Sequence, residues 1–224
     1  VVNVIYDTQI PIVSINQIAS PTNIQTIMIS GSAYDNYIIN KVDVRINNGA
    51  WQTANLDKLD SSSVIWSFSA ILTPGSNIIE ARGFDRAGNP SIIQSRNVQL
   101  DLNKPIVNLI SPINNPTYAP NSQIIFTCSA SDENGLSKIE FWLTRPGIGF
   151  NLEETRTVSE KSTTQVFTKT FSQTGNYAWN CKAYDIINNY AYGSINGQSP
   201  GFIVQSNQFC TPGTLQQGTQ CLVC

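Results

Sequence analysis

The sequence predicts an all-β chain built as two tandem β-sandwiches of about 100 residues each with a short Cys-rich C-terminal tail, and three observations carry that prediction. Its 224 residues are 41% hydrophobic and only 12% charged, rich in Ile, Asn, Ser and Thr and poor in Leu, Lys and Glu. β-Branched side chains suit a pleated sheet, and Asn and Ser suit turns. Apolar residues alternate with period two in short runs, and no i, i+3, i+4, i+7 stripe appears. Finally, the chain repeats itself at a period of about 100 residues, which makes the sandwich a unit used twice.

Residues 1–6 alternate and read as a strand or linker belonging to an upstream element. The chain opens on Val1-Val2-Asn3 without an initiator Met or apolar leader, so it reads as a processed chain or an excised piece. The first sandwich, residues 7–100, starts at Asp7-x-x-x-Pro11. Its inward faces are Ile27, Ile29 and Gly31; Val42, Val44 and Ile46; Val64, Trp66 and Phe68; then Asn77, Ile79 and Ala81. Turns at Asn48-Gly49, Pro74-Gly75 and Ala87-Gly88-Asn89 separate these strands.

The second sandwich, residues 101–205, repeats the first in order. Asp7…Pro11 returns as Asp101…Pro105, Ser32-Ala33-Tyr34-Asp35 as Ser129-Ala130-Ser131-Asp132, Lys41-Val42-Asp43-Val44 as Lys138-Ile139-Glu140-Phe141, and Phe84-Asp85…Asn89 as Tyr184-Asp185…Asn189. The offset between the copies grows along the chain, as loop insertions require. Its inward sets are Ile124, Phe126 and Cys128; Ile139, Phe141 and Leu143; then Tyr177, Trp179, Cys181 and Ala183. About seven short strands per copy is the count of a Greek-key sandwich. Residues 206–224 differ in kind: a turn-rich tail with Cys210, Cys221 and Cys224, read as truncated.

These motifs resemble prokaryotic immunoglobulin-like domains, the tandem modules of bacterial and archaeal surface proteins and adhesins. The resemblance rests on Asp-x-x-x-Pro, Gly-Ser-Ala-x-Asp, Val-Asp-Val-Arg, Trp-Ser-Phe and the run from Leu72 to Asn89, and in the second copy on Asp101, Pro105, Asp132, Cys181 and Asp185. It implies the fold, and a secreted or cell-surface setting. It also implies that Cys128 and Cys181, on strands of opposite sheets, form a disulfide across the core. The alternative is two free thiols packed as small apolar groups. Closing that loop would stabilise by roughly 4 kcal/mol in the chain-entropy model. The first copy carries Gly31 and Ala81 at these positions and must hold by packing. The tyrosine usual two residues before the second cysteine is here Trp179.

Composition excludes several function classes. A formal net charge of -2 leaves no basic excess for nucleic acid, and the apolar runs, such as Ile10 to Ile15, are far shorter than a membrane helix. With no histidine, Ser-His and Cys-His nucleophile systems and histidine-containing zinc sites are unavailable. No nucleophile elbow or phosphate loop occurs, and the chain reads as non-enzymatic. Adjacent Glu153 and Glu154 face opposite sides of a strand and read, with Arg156, Glu160 and Lys161, as a charged sheet edge. Every Asn-x-Ser/Thr triplet is blocked by Pro after Asn89 or Asn115, so no N-glycosylation is expected.

Four sets of residues remain as candidates. Hard oxygen ligands for calcium could come from Asp35, Asp85 and Asn89, or from Asp7 and Asp101, although turn shaping and linker capping explain the same residues. Cys210, Cys221 and Cys224 could form a tail disulfide or half of a thiolate metal site. Asp43 with Arg82, and Glu140 with Lys182, face outward on neighbouring third and sixth strands, and each is expected to form an exposed cross-strand ion pair. Trp142, Tyr184, Tyr190 and Tyr192 are expected to form an aromatic strip on that face, either a ligand surface or a local cluster. The leading functional expectation is a rigid spacer or adhesion module whose partners are other surface proteins or glycans. The rivals are a carbohydrate-binding accessory module using Trp142 and Tyr184, and a filament or surface-layer subunit that self-associates by adding residues 1–6 as a strand.

Overall fold

Alternation becomes strand pairing throughout the computed structural model, which describes residues 6–206 and, in the tail, the backbone of residues 214–217 and 220–223. Among these residues every regular element is a β-strand, and no helix is long and apolar enough to cross a membrane. The chain divides into two compact units, Val1–Leu102 and Asn103–Cys224.

The first unit contains β1 (Ile12–Val13), β2 (Thr26–Tyr34), β3 (Ile39–Ile46), β4 (Gln52–Thr53), β5 (Asn55–Leu56), β6 (Ser63–Ile71), β7 (Gly75–Asp85) and β8 (Gln94–Leu100). They form two antiparallel sheets, β1-β2-β6-β5 and β4-β3-β7-β8. The inner faces meet over Ile29, Val42, Val44, Trp66, Leu72, Ile79 and Ala81. Burying each large apolar side chain of this kind contributes about 1.5–3 kcal/mol.

The second unit contains β9 (Ile106–Ser111), β10 (Thr117–Tyr118), β11 (Gln123–Ser131), β12 (Leu136–Arg145), β13 (Ile148–Thr157), β14 (Ser162–Thr170), β15 (Gly175–Asp185), β16 (Tyr190–Tyr192) and β17 (Gly201–Val204). One sheet runs β14-β11-β9. The other runs β10-β17-β15-β12-β13, with β16 also on β15 and a parallel pairing of β10 with β17. Its core is more aromatic: Phe126, Phe141, Phe167, Trp179 and Phe202 surround Cys128 and Cys181. Beyond it, β18 (Thr214–Gln217) and β19 (Gln220–Val223) form a hairpin.

The copies share a detail that simple alternation hides. Register slips between Ile39 and Lys41 on β3, and between Leu136 and Lys138 on β12. A bulge of this kind places an extra residue on one strand, so Ile39 and Leu136 are buried as well as Val42 and Ile139. Parity counted from Val42 and Ile139 alone misses both.

Cys128 on β11 and Cys181 on β15 are joined across the two sheets, with Cα atoms 6.6 Å apart. At the matching place in the first unit, Gly31 lies directly across from Trp66 on β6. A Cβ on Gly31 would stand 1.9 Å from the Ser14 carbonyl oxygen and 2.6 Å from Trp66 Cζ2. Glycine is therefore required by contact: the Trp66 indole lies over the position that corresponds to Cys128 in the second unit. Trp66 Nε1 donates to the Ser32 carbonyl at 3.3 Å, and Trp179 Nε1 to the Pro112 carbonyl at 2.8 Å. A corner hydrogen bond to the backbone upstream exists after all, but from Tyr177, whose hydroxyl donates to the Gln173 carbonyl at 2.7 Å.

Candidate functional site

The outer face of each β3/β7-type sheet holds most of the candidate side chains. Asp43 and Arg82 are register partners on β3 and β7, as are Glu140 and Lys182 on β12 and β15. Of the two expected cross-strand ion pairs, Asp43 with Arg82 is present and Glu140 with Lys182 is not, and both acids are buried rather than exposed. Asp43 is 3% exposed, and its nearer cation is Lys41 at 2.9 Å, with Arg82 at 3.8 Å. Glu140 pairs with Lys138 at 2.6 Å rather than with Lys182. The reason is competition for the cations. Arg82 lies 4.1 Å above the Trp51 ring, and Lys182 Nζ lies 3.9 Å above Tyr190 and 4.5 Å above Tyr184. A lysine two residues along the same strand shares the acid's face and takes its place.

Burial alone would raise the Glu140 carboxyl, but hydrogen bonds from Lys138, Trp142 Nε1 and the Tyr184 hydroxyl outweigh it and hold the group below the usual carboxylate range. For Lys182 burial pulls the ammonium down, while the Tyr184 and Tyr192 hydroxyls leave it above its ordinary value. The charged edge is β13: Glu153 pairs with Arg145, and Glu154 reaches Arg156 at 2.9 Å and Lys169 on β14 at 3.4 Å, tying the two sheets at their rim.

The expected aromatic strip divides in two. Tyr184, Tyr190 and Tyr192 stand together, with centroids 5.5 and 6.2 Å apart, and enclose the Lys182 ammonium. Tyr184 thus belongs to a local cation cluster. Trp142 and Tyr192 instead line a cavity of about 390 Å³, with Phe150 from β13, Asn180 from β15, and Gln198 and Ser199 from the segment after β16. Asn180 is buried at 6% exposure. Its amide donates to the Gly193 carbonyl at 2.9 Å and to Ser199 Oγ at 2.7 Å, while its Oδ1 has no partner. Gly193 lies close against Leu109, whose side-chain carbons would stand 2.6 Å from a Cβ there. Sequence reasoning found Trp142 and Tyr192 but missed Phe150, Asn180 and Ser199; inward-outward parity ranks exposed aromatics and is silent on a buried amide.

Carboxylates gather at one end of the first unit. Asp7, Asp35 and Asp85 each offer an oxygen within 4.8 Å of the others, a set of hard ligands that could hold a divalent cation such as calcium. Turn hydrogen bonds already use these groups: Tyr37 N donates to Asp35, and Asn89 N and Nδ2 both donate to Asp85. Asn89 therefore turns its amide nitrogen toward Asp85 and shapes the turn as a donor. Asp101 is buried where the first unit ends, its amide donating to the Thr22 carbonyl at 2.9 Å. In the second unit Asp185 repeats the turn, accepting from Ile187 N, Asn189 N and Asn189 Nδ2. Burial, reinforced by the nearby Asp132 charge, raises its pKa against those hydrogen bonds. The offsets that match Asp85 and Asn89 to Asp185 and Asn189 were the available signal for this second turn.

Of the tail candidates, Cys210 and Cys224 lie outside the described residues, and of Cys221 only the backbone, in β19, is described. Residues 1–5 of the proposed donor strand lie outside them too.

Two sheets closed over their own core, twice in one chain, with a disulfide between the sheets of the second unit, define a tandem of immunoglobulin-like β-sandwiches. No family model matches the chain, and no curated protein does. Among solved structures, it is similar to the fibronectin(III)-like modules of Clostridium thermocellum CbhA, at 16% identity over 87% of this chain and 94% of that one, with a TM-score of 0.41. It is also similar to a tetra-tandem repeat from the extending region of a large adhesion protein, at 18% identity, 88% of this chain, 49% of that one and a TM-score of 0.34. The titin domains z1z2, solved in complex with telethonin, match at 10% identity over 91% of this chain and all of theirs, with a TM-score of 0.35.

Proposed function

We propose that the chain is a non-enzymatic structural and adhesive segment of a secreted or cell-surface protein, each sandwich acting as a rigid spacer and interaction module. The observation that carries this reading is duplication: one chain builds the same two-sheet unit twice, each with its own closed core. A module meant to be strung in series must be stable without its neighbour, and a complete private core meets that need. The cross-sheet disulfide supports an oxidising, extracytoplasmic compartment, and the motif resemblance supports a prokaryotic surface protein.

Single-molecule pulling on the full chain tests the spacer role. Two separate unfolding events are expected, one per unit. Reduction of Cys128–Cys181 should lengthen one of them, because it frees a 53-residue loop worth about 180 Å of extended chain. A chain that extends smoothly, without two discrete events, is no rigid spacer, and the proposal fails on that outcome.

A further inference from the structure

The two copies differ at one place on the same outer face. In the first unit Arg45 on β3 and Glu80 on β7 are register partners joined by an ion pair of 2.6 Å. The Arg45 guanidinium also lies 4.5 Å above the Trp51 ring, so the spot is covered. The matching register partners in the second unit are Trp142 and Asn180. There the charged pair is gone, and the cavity of about 390 Å³ takes its place.

We propose that this cavity binds a neutral saccharide, seating a pyranose ring against Trp142. Three features select that class of ligand. The volume falls in the range of small-molecule sites, about 300–1,000 Å³. Its walls have two characters: Trp142, Phe150 and Tyr192 give aromatic surface, while Asn180, Gln198 and Ser199 give uncharged amides and hydroxyls. A sugar ring has the same two characters, with C–H bonds on its faces and hydroxyls around its edge. No Lys, Arg, Asp or Glu is among the lining side chains, so neither a phosphate nor a cation finds a counter-charge. A nucleotide is disfavoured for the same reason, and the nearby Lys182 is held inside its tyrosine cluster.

The third feature is Asn180 Oδ1. It is one of two buried side-chain polar atoms without a hydrogen-bond partner among the described residues. Leaving such a buried acceptor unpaired is unfavourable. Both hydrogens of the same amide are committed to Gly193 and Ser199, so the side chain is held in place with its acceptor unused. The oxygen itself is buried, so a ring hydroxyl pairs with it only where the Asn180 wall yields to the ligand; an apolar ligand would bring no donor.

This inference supplies a ligand for the interaction half of the function proposed above, and its failure would leave the pulling result untouched. The test is calorimetric titration of the full, oxidised chain with cellobiose, lactose, maltose and chitobiose, preceded by a glycan array. Saturable binding of at least one saccharide is expected. Trp142→Ala should weaken it at least tenfold, and Ser199→Ala should weaken it several-fold. Because removing a tryptophan can disturb the sheet, the double variant Trp142→Arg with Asn180→Glu rebuilds the ion pair of the first unit. It should keep the two-step unfolding of the parent and lose all sugar binding. Absence of saturable binding to every sugar overturns the proposal. So does binding that survives in the folded double variant, or adenosine binding more tightly than any saccharide.

Discussion

The two units solve one packing problem with different chemistry. In the second, the sheets are fastened by Cys128–Cys181 and lined by a cluster of aromatic rings, among them Phe126 at 5.4 Å from Trp179 and Phe141 stacked at 4.9 Å on Phe167. In the first, the position that corresponds to Cys128 is Gly31, and the Trp66 indole lies over it. One unit thus has a disulfide at this position and the other a glycine under a tryptophan. The disulfide acts mainly by restricting the unfolded chain. The tryptophan acts through area buried and close packing in the folded one.

Four measurements break or sharpen that comparison, taken from the largest expected effect to the smallest. Replacing Cys128 and Cys181 together by Ala should lower the stability of the second unit by roughly 4 kcal/mol. Urea unfolding should show one of the two transitions moving and the other, belonging to the first unit, unchanged. The complementary change is Gly31→Ala. A methyl group there meets the Ser14 carbonyl and the Trp66 ring, and overpacking of this kind costs about 1–3 kcal/mol. Thermal denaturation should place that loss in the first unit alone; a neutral result would mean that the indole is not fixed over Gly31.

Tyr177→Phe removes the hydroxyl that donates to the Gln173 carbonyl and should cost the second unit about 1 kcal/mol. The smallest effect concerns acid. The Glu140 pKa is lowered in the folded state, so its contribution is complete above the ordinary carboxylate range near pH 4.3. That contribution disappears as pH falls through the lowered folded value. Urea midpoints of the second unit measured from pH 7 to pH 3 should decline less steeply in Glu140→Gln than in the parent. Asp185, whose pKa is raised, carries the opposite sign: its contribution is present below the ordinary range and is lost as pH rises through the raised value. An unchanged slope in Glu140→Gln would show that Lys138 and Trp142 do not favour the ionised form.

Much of this was legible from residues alone. Period-two alternation and Asn/Gly turn pairs locate β2, β3, β6, β7, β11, β12 and β15, because both signals are local consequences of backbone geometry. The resemblance to immunoglobulin-like domains implied that Cys128 and Cys181 lie on strands of opposite sheets, where they are found joined. The repeat placed Asp43 across from Arg82 and Glu140 across from Lys182. Asp43 keeps its ion pair with Arg82 while Lys41 stands nearer, but Glu140 binds its own strand's Lys138, and Lys182 sits among the tyrosines instead. Nothing in strand parity anticipates a third ring competing for a charge. The cavity was likewise half legible: Trp142 and Tyr192 are outward by count, but Asn180 counts as an ordinary polar residue until Gly193 and Ser199 close over it.

The sequence by itself therefore determined the all-β class and the duplication of the unit, because each is written in patterns a few residues long or in a repeat offset, while the bridge between sheets was implied by the resemblance its motifs carry. Only the tertiary structure decided which side chains meet: that Trp66 lies over Gly31, that Lys138 rather than Lys182 pairs with Glu140, and that Trp142 looks onto a cavity instead of a tyrosine strip. Pairing and register come from backbone periodicity, which a sequence carries explicitly. Contacts among long side chains depend on competition in three dimensions among groups far apart in the chain, and that competition exists only once the sheets have closed.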